Sequence, residues 1–311
     1  MPGYDPGRPD NPVLRWVSYI QDGVLLQRLQ LRWNYIAGDI RRARWKLLKE
    51  RRQFQDIHLQ PGVRMRLFLD SEVSYGIYAK NFEMRERLFH NAFLRAGDIY
   101  LDVGANIGLF TLIAAHKVGN DGHVYAFEPT SISFQRLLTN IRLNQFSNVS
   151  PFQIALSDAP GQVSMQVSLD GYDGRNSLTS PTAGEKFIPE MVSALTLDQF
   201  IQDQHLAKKI TMIKIDVEGW ETHVLTGGQG ILSSAEAPIL QIEFSEEARA
   251  SAGSTSEELY RMLTGLGYRL FSFEAEAGAL APVSPSQVKN GHLNVIATKD
   301  PTLITRRLEG S

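Results

Sequence analysis

The sequence predicts an α/β fold in which a mostly parallel, seven-stranded sheet carries helices on both faces, with a helical appendage ahead of it. Three observations carry that prediction. From Asp98 onward, short apolar and partly β-branched runs alternate with stretches of helical periodicity, as in a parallel sheet with crossover helices. The first run, Ile99-Tyr100-Leu101-Asp102-Val103, precedes a turn containing Gly104 and Gly108 and then a helical stretch from Leu109 to Val118. The second, His123-Val124-Tyr125-Ala126-Phe127, ends on Glu128-Pro129, about 20 positions beyond that turn.

The elements follow in order. Residues 1 to 11 are rich in Pro and Gly, and two helical stretches are expected before Gln60-Pro61-Gly62, a break that marks a boundary. The expected division is a basic helical extension over 1–60, the main domain over 61–300 and a tail over 301–311. Residues 63–78 alternate loosely, as in a short hairpin or paired strands, and Phe82 to Phe93 is helical up to the turn Arg95-Ala96-Gly97-Asp98. Strands are expected near 99–103, 123–128, 149–155, 211–216, 238–244, 267–274 and 292–298. Between Gly161 and Ala194, alternation and then the turn-rich run Asp170 to Ser177 suggest an inserted hairpin and loop, either a cover for a substrate or a plain surface excursion.

A chain of 311 residues with 43% hydrophobic content has room for one large domain and an appendage. Lacking cysteine, it has no disulfide, cysteine nucleophile or thiolate metal site. The opening lacks a signal-peptide pattern and no apolar run approaches membrane-spanning length, so a soluble, cytoplasmic setting is expected. Net charge is −2, but Arg28 to Arg52 holds nine Lys or Arg against two acids, a segment of +7. Within it Leu29, Trp33, Ile36, Ile40, Ala43 and Leu47 recur in steps of four and three, one stripe of a basic helix. Docking on its own domain, pairing with a second subunit and contact with a membrane surface are the readings of residues 28–52; no reader motif supports nucleic acid.

The turn after the first strand narrows the cofactor. A nicotinamide dinucleotide favours Gly-x-Gly-x-x-Gly, whereas here Asn106 stands two after Gly104, where its side chain would obstruct a pyrophosphate. Asp102 at the head of the loop, with Gly104 and Gly108, instead suits a ligand with an amino-acid group, a sulfonium and an adenosine, which are the parts of S-adenosylmethionine. Glu128 would accept both ribose hydroxyl protons.

The ordered set Asp102 to Gly108, Phe127-Glu128-Pro129, Asn140 and Asn144, then Ile213-Lys214-Ile215-Asp216-Val217-Glu218-Gly219-Trp220-Glu221 resembles the FkbM family of methyltransferases. The similarity runs from about Ser71 to Thr298 and takes in Phe82-Glu83, Ala155-Leu156 and Leu195 to Asp198. The resemblance implies a class I, Rossmann-like fold, S-adenosylmethionine as methyl donor with S-adenosylhomocysteine as product, and a hydroxyl acceptor on a sugar, glycolipid or polyketide-type molecule. Carried onto matching positions, it assigns Asp102, Gly104, Ala105 and Asn106 to the methionine portion and Glu128 to the ribose, with Glu83, Gly108, Pro129 and Asp216 also expected at the cofactor. Thr111 would assist the carboxylate, and Ala155, Leu156, Ser157 and Asp158 would lie near the adenine, the last two equally plausible as turn residues.

Along the fourth strand Lys214 and Asp216 share one face. A lysine in so apolar a strand requires a partner, expected in Asp102 or Glu243, and it would orient those carboxylates or join a proton-handling network. Asp216, Glu218 and Glu221 crowd the strand-to-helix junction, where they raise one another's pKa. Glu218 or Asp216 is the expected general base, with Glu243 and His292 as the other candidates. Asp216, Glu218 and Glu243 together offer oxygen ligands suited to Mg²⁺, but their spacing does not demand a metal and none is expected. An N-methyltransferase and a non-catalytic S-adenosylmethionine-binding scaffold remain the alternatives.

Overall fold

The computed structural model describes residues 24–79, 82–168, 187–206, 209–289 and 292–309. Its contacts divide the chain into Met1–Gln53 and Phe54–Ser311. In the first unit α1 (Val24–Arg51) is the described element; the other expected helical stretch lies outside the described residues.

The second unit opens with β1 (Phe54–Gln60) and β2 (Val63–Phe68), then α2 (Glu72–Ala79), α3 (Met84–Phe93) and β3 (Ile99–Val103). α4 (Leu109–Val118) leads to β4 (His123–Phe127), and α5 (Ser131–Asn144) to β5 (Val149–Phe152). Next come β6 (Ala155–Ser157), β7 (Gly161–Ser168), β8 (Phe187–Thr196), α6 (Leu197–Asp203) and β9 (Ile210–Ile215). α7 (Glu221–Gly227) and α8 (Gln229–Ser233) precede β10 (Ile239–Ser245), followed by α9 (Glu246–Ser251), α10 (Ser256–Gly265) and β11 (Arg269–Glu274). β12 (Ala279–Pro282), α11 (Pro285–Val288), β13 (His292–Thr298) and α12 (Pro301–Glu309) complete it.

The main sheet has the order β12-β11-β13-β10-β9-β3-β4-β5. The seven expected strands are present, and the short edge strand β12 extends them to eight. β10, β9, β3, β4 and β5 pair in parallel, while β13 runs antiparallel to both β10 and β11. Among the seven expected strands β13 alone is reversed, the mostly parallel, Rossmann-like arrangement expected from the sequence, and the added edge strand β12 runs antiparallel to β11. The chain order reverses between β3 and β9, and the crevice beyond the carboxyl ends at such a switch point is where open α/β sheets bind ligands.

Three boundaries differ from those read in the sequence. Gln60-Pro61-Gly62 is the turn of the β1–β2 hairpin, with Gly62 at φ +79, so the units part at Gln53. Pro and Gly mark a tight turn as readily as a boundary. The expected strand 149–155 ends at Phe152, because β5 is the sheet edge; the chain peels away and Ala155 to Ser157 pair with β8 instead. Residues 301–309 form α12 with Ile304 fully buried, so they belong to the core and are no tail. The inserted hairpin is β7–β8, whereas the loop 170–177 lies outside the described residues.

Strand parity divides the core. Leu101, Val103, Ile213, Ile215, Leu240 and Ile242 pack on the face covered by Phe200, Val224, Leu225 and Leu259 of the helices α6, α7 and α10. Tyr100, Val124, Met212 and Ile239 pack on the other, with Phe89 and Phe93 of α3 and Ala114, Ala115 and Val118 of α4. Stepping along that second face toward the carboxyl ends, the four central strands turn polar: Tyr100 leads to Asp102, Met212 to Lys214 and Asp216, Ile239 to Gln241 and Glu243, and, one step later, Val124 through Ala126 to Glu128. One face of the sheet is thus hydrocarbon at its base and ionisable at its rim.

Two asparagines of α5, one helical turn apart, fasten the hairpin to this frame. Asn144 Oδ1 accepts from Arg64 N at 2.8 Å and its Nδ2 donates to Arg64 O at 2.7 Å. Asn140 Oδ1 accepts from Arg66 N at 2.7 Å, while its Nδ2 donates to Ile107 O at 2.8 Å inside the glycine turn. Asn140 therefore props both the hairpin and the turn. Asn140→Ala leaves these buried groups unpaired and is expected to cost about 1–3 kcal/mol in urea denaturation; an unchanged midpoint would contradict that role.

Candidate active site

At the carboxyl ends of β3, β4, β9 and β10 lies a cavity of about 920 Å³. Its wall holds Glu83, Gly104, Ala105, Asn106, Glu128, Pro129, Ala155, Leu156, Lys214, Asp216, Glu218, Glu243 and His292. Asp102, Gly108, Thr111, Ser157 and Asp158, also expected at the cofactor, do not line it. Asp102 is buried at 1% exposure beneath the floor, where Thr111 Oγ1 donates to its Oδ2 at 2.6 Å. Thr111 thereby orients a protein carboxylate, in place of the ligand contact expected from sequence. Gly108, at φ +95, caps α4. Ser157 Oγ donates to Asp158 Oδ1 at 2.9 Å and accepts from Trp220 Nε1 at 3.1 Å. Those two residues brace Trp220, which lines the cavity, from behind.

The glycine turn is shaped from two sides. A Cβ on Gly104, at φ +81, would stand 1.8 Å from Asp216 O, so the main chain leaving β9 demands glycine there. Asn106 sits at φ 48, its Oδ1 accepting from Ile107 N at 2.7 Å and its own N–H donating to Glu128 Oε2 at 3.0 Å. Amides that would cradle a pyrophosphate are thus already bound within the protein. Glu128 Oε1 also accepts from Thr130 N at 3.0 Å and Thr130 Oγ1 at 2.6 Å. Burial pushes the Glu128 carboxyl up to about 7, with these donors opposing the rise.

Two to three strand spacings away, roughly 10–14 Å, the rim is acidic. Asp216, Glu218 and Glu243 each bring a carboxylate oxygen within 4.8 Å of the others. Lys214 Nζ donates to Asp216 Oδ2 at 2.8 Å and lies 5.0 Å from the centre of the Phe110 ring. Its direct partner is neither Asp102 nor Glu243: Asp102 is held by Thr111, while Asp216, past the strand end, folds back onto the ammonium. Burial opposes the charge on Lys214, but Asp216, Asp102 and Glu83 outweigh it and raise its pKa. Glu243 Oε1 lies 3.2 Å from Nε2 of the exposed His292, and its buried Oε2 has no hydrogen-bond partner among the described residues.

Burial and then the Asp216 charge raise the Glu83 carboxyl to about 8 and lift Glu218 and Glu243 well above the usual carboxylate range. The donor set is all oxygen and could hold a hard divalent cation, but the Lys214 ammonium already supplies a cation to Asp216. Glu221, read from sequence as part of this cluster, is fully buried in an ion pair with Arg249 at 3.0 Å. Its Oε1 accepts from Val217 N and Gly219 N, both at 3.2 Å, which ties down the turn carrying Glu218.

Some features were missed in the sequence reading. Trp220 lines the cavity with its ring stacked on His223 at 3.5 Å, and Phe110 forms the apolar bed beneath Lys214. Among the described residues, five non-glycines have positive φ, and three of them, Glu83, Asn106 and Glu218, line this cavity. Strain concentrated at one site is a mark of function, since each such residue costs about 1–3 kcal/mol.

The cavity suits a nucleoside-bearing sulfonium ligand. It has the volume of a small-molecule site, a carboxylate just past the end of β4 able to accept from hydroxyl groups, and acids on the far rim able to face cationic groups. The methyltransferase FkbM domain family matches residues 102–270. Hexuronic acid methyltransferase AglP of Haloferax volcanii is 30% identical over 145 residues, covering 47% of this chain and 56% of that protein. The 31-O-demethyl-FK506 methyltransferase FkbM of Streptomyces tacrolimicus is 31% identical over 181 residues, covering 49% of this chain and 67% of that protein. The chain thus spans little more than half the length of the first relative. A solved precorrin-6y C5,15-methyltransferase from Geobacter metallireducens is 12% identical, covering 70% of this chain and 88% of that one, with a TM-score of 0.41.

Proposed function

The chain belongs to the methyltransferase FkbM domain family, and from that premise we propose that it transfers a methyl group from S-adenosylmethionine to a hydroxyl of a sugar, glycolipid or polyketide-type acceptor. The observation that carries the reading is the pairing, in one cavity, of a ribose-competent carboxylate just past β4 with a strained, acid-rich rim at the carboxyl ends of β9 and β10.

The cofactor supplies an activated methyl on sulfur, and the chain's residues do the rest. Glu128 accepts from the ribose hydroxyls, while Gly104, Ala105 and Asn106 fix the turn beside the methionine portion. Asp216, held by Lys214, and Glu83 face the cationic end. Glu218, which lines the cavity beside Asp216 and Glu243 on a strained turn, takes the acceptor's hydroxyl proton. Alignment of acceptor oxygen, methyl carbon and sulfur dominates the rate, because positioning reaches effective molarities of about 10⁵–10⁸ M. The hydroxyl preference draws on the names of the two relatives, a hexuronic acid methyltransferase and an O-demethyl-FK506 methyltransferase.

Labelled S-adenosylmethionine incubated with pools of glycans, lipids and metabolites, followed by mass spectrometry, tests the reading. Label on a small hydroxylated acceptor is expected; label confined to protein or nucleic acid overturns it. Calorimetry gives a second prediction. Glu128→Gln is expected to weaken S-adenosylmethionine binding about 10–100-fold, the value of a hydrogen bond to a charged group. In the native protein the affinity rises as pH passes upward through about 7, because the hydroxyls prefer the ionised Glu128. A Kd insensitive to both changes removes Glu128 from the ribose site.

A further inference from the structure

None of the residues lining the cavity lies on the basic helix α1, and its exposed surface calls for a partner of its own. Ile40 is 62% exposed and Leu47 52% exposed, with Ala43 exposed between them. These three belong to the apolar stripe of the sequence, so that stripe faces outward where its side chains are described. Arg44 and Arg51 are exposed too, each four residues beyond Ile40 and Leu47 and hence on the same side of the helix. Leu29, Trp33 and Ile36 continue the spacing in the sequence, though their side chains fall outside the described residues.

We propose that α1 docks on an anionic membrane surface, its apolar stripe entering the headgroup boundary and Arg44, Arg51 and their basic neighbours meeting lipid phosphates. Charge selects this partner. Arg28 to Arg52 carries +7, so pairing α1 faces from two copies would set like charges together, whereas an anionic bilayer neutralises them. Arginine suits the boundary, since its aliphatic stem lies along apolar surface while the guanidinium reaches the phosphate. The proposed contact is at the membrane surface, and no helix among the described residues is long and apolar enough to cross a membrane.

The test is co-sedimentation of the full chain with phosphatidylcholine vesicles and with vesicles containing phosphatidylserine, at low and high salt. Binding to the anionic vesicles alone, weakened by salt, is expected. Each basic residue at such a surface contributes about a five-fold gain in partition, so Arg44→Glu with Arg51→Glu is expected to weaken binding at least ~25-fold. Ile40→Ser with Leu47→Ser should also release the protein. Absence of vesicle binding, or variants that bind as well as the native chain, overturns the proposal. So does light scattering that shows a dimer dissociated by the Ile40 and Leu47 changes without vesicle binding. Because the readout is partition, it stands or falls separately from methyl transfer.

Discussion

Glu218→Gln is expected to lower kcat by about 10²–10⁴-fold, the usual worth of a general base, while cofactor affinity stays within a factor of two. Glutamine keeps the size and polarity of the side chain, so the strained turn, with residue 218 at φ 50, is retained. What disappears is the site that takes the proton. In the native protein burial and then the charges of Asp216 and Glu221 hold the Glu218 carboxyl well above its ordinary value. A base must be unprotonated to act, so kcat/KM should climb with pH up to that raised value. Glu218→Gln should flatten that limb. Unchanged turnover would exclude Glu218 as the base; a reduced rate with the limb intact would assign the limb to another carboxyl, with Glu243 the next to substitute. Removal of the base still leaves alignment, so residual methyl transfer above the uncatalysed rate belongs to the expectation.

The parts of this site that lie close along the chain were the legible ones. Asp102, Gly104 and Gly108 announce strand, turn and helix within a dozen residues, and Glu128 closes the next strand. Sequence parity also put Lys214 and Asp216 on one face. It could not show that Asp102, Glu128 and Glu243 share that face, because this depends on inter-strand register, Asp102 opposite Lys214 and Lys214 opposite Gln241. The partner of Lys214 was misjudged for the same reason: Thr111, nine residues downstream, had already claimed Asp102. Positive φ at Glu83 and Glu218 leaves no mark in composition, as neither is glycine, asparagine or aspartate. Asn140 was visible as a motif residue, but its tasks, holding Arg66 and Ile107, span 74 and 33 residues.

Arg249→Met is the substitution expected to destabilise most, by about 3–5 kcal/mol at neutral pH, because it strands Glu221 as an unpaired buried charge. Both residues lie at 0% exposure. The cost should depend on pH in a definite direction. Burial raises the Glu221 carboxyl and Arg249 holds that rise down, so the native fold already binds this proton more tightly than the unfolded chain. A carboxyl raised on folding favours the folded state below its unfolded pKa, and that advantage is lost as pH climbs through the folded value. Without Arg249 the folded value goes higher and the loss continues further, so the deficit of Arg249→Met grows from pH 5 to pH 8. Adding Glu221→Gln removes the stranded charge and should recover much of the deficit at pH 8 but little at pH 5. Urea titrations at the two pH values measure both effects; a deficit independent of pH would mean that lost packing, and not the buried charge, dominates. Activity provides a second readout, since Glu221 holds the amides of Val217 and Gly219 on either side of Glu218. The double substitution is expected to restore stability while leaving kcat depressed, because Gln offers those two amides a weaker acceptor than the carboxylate.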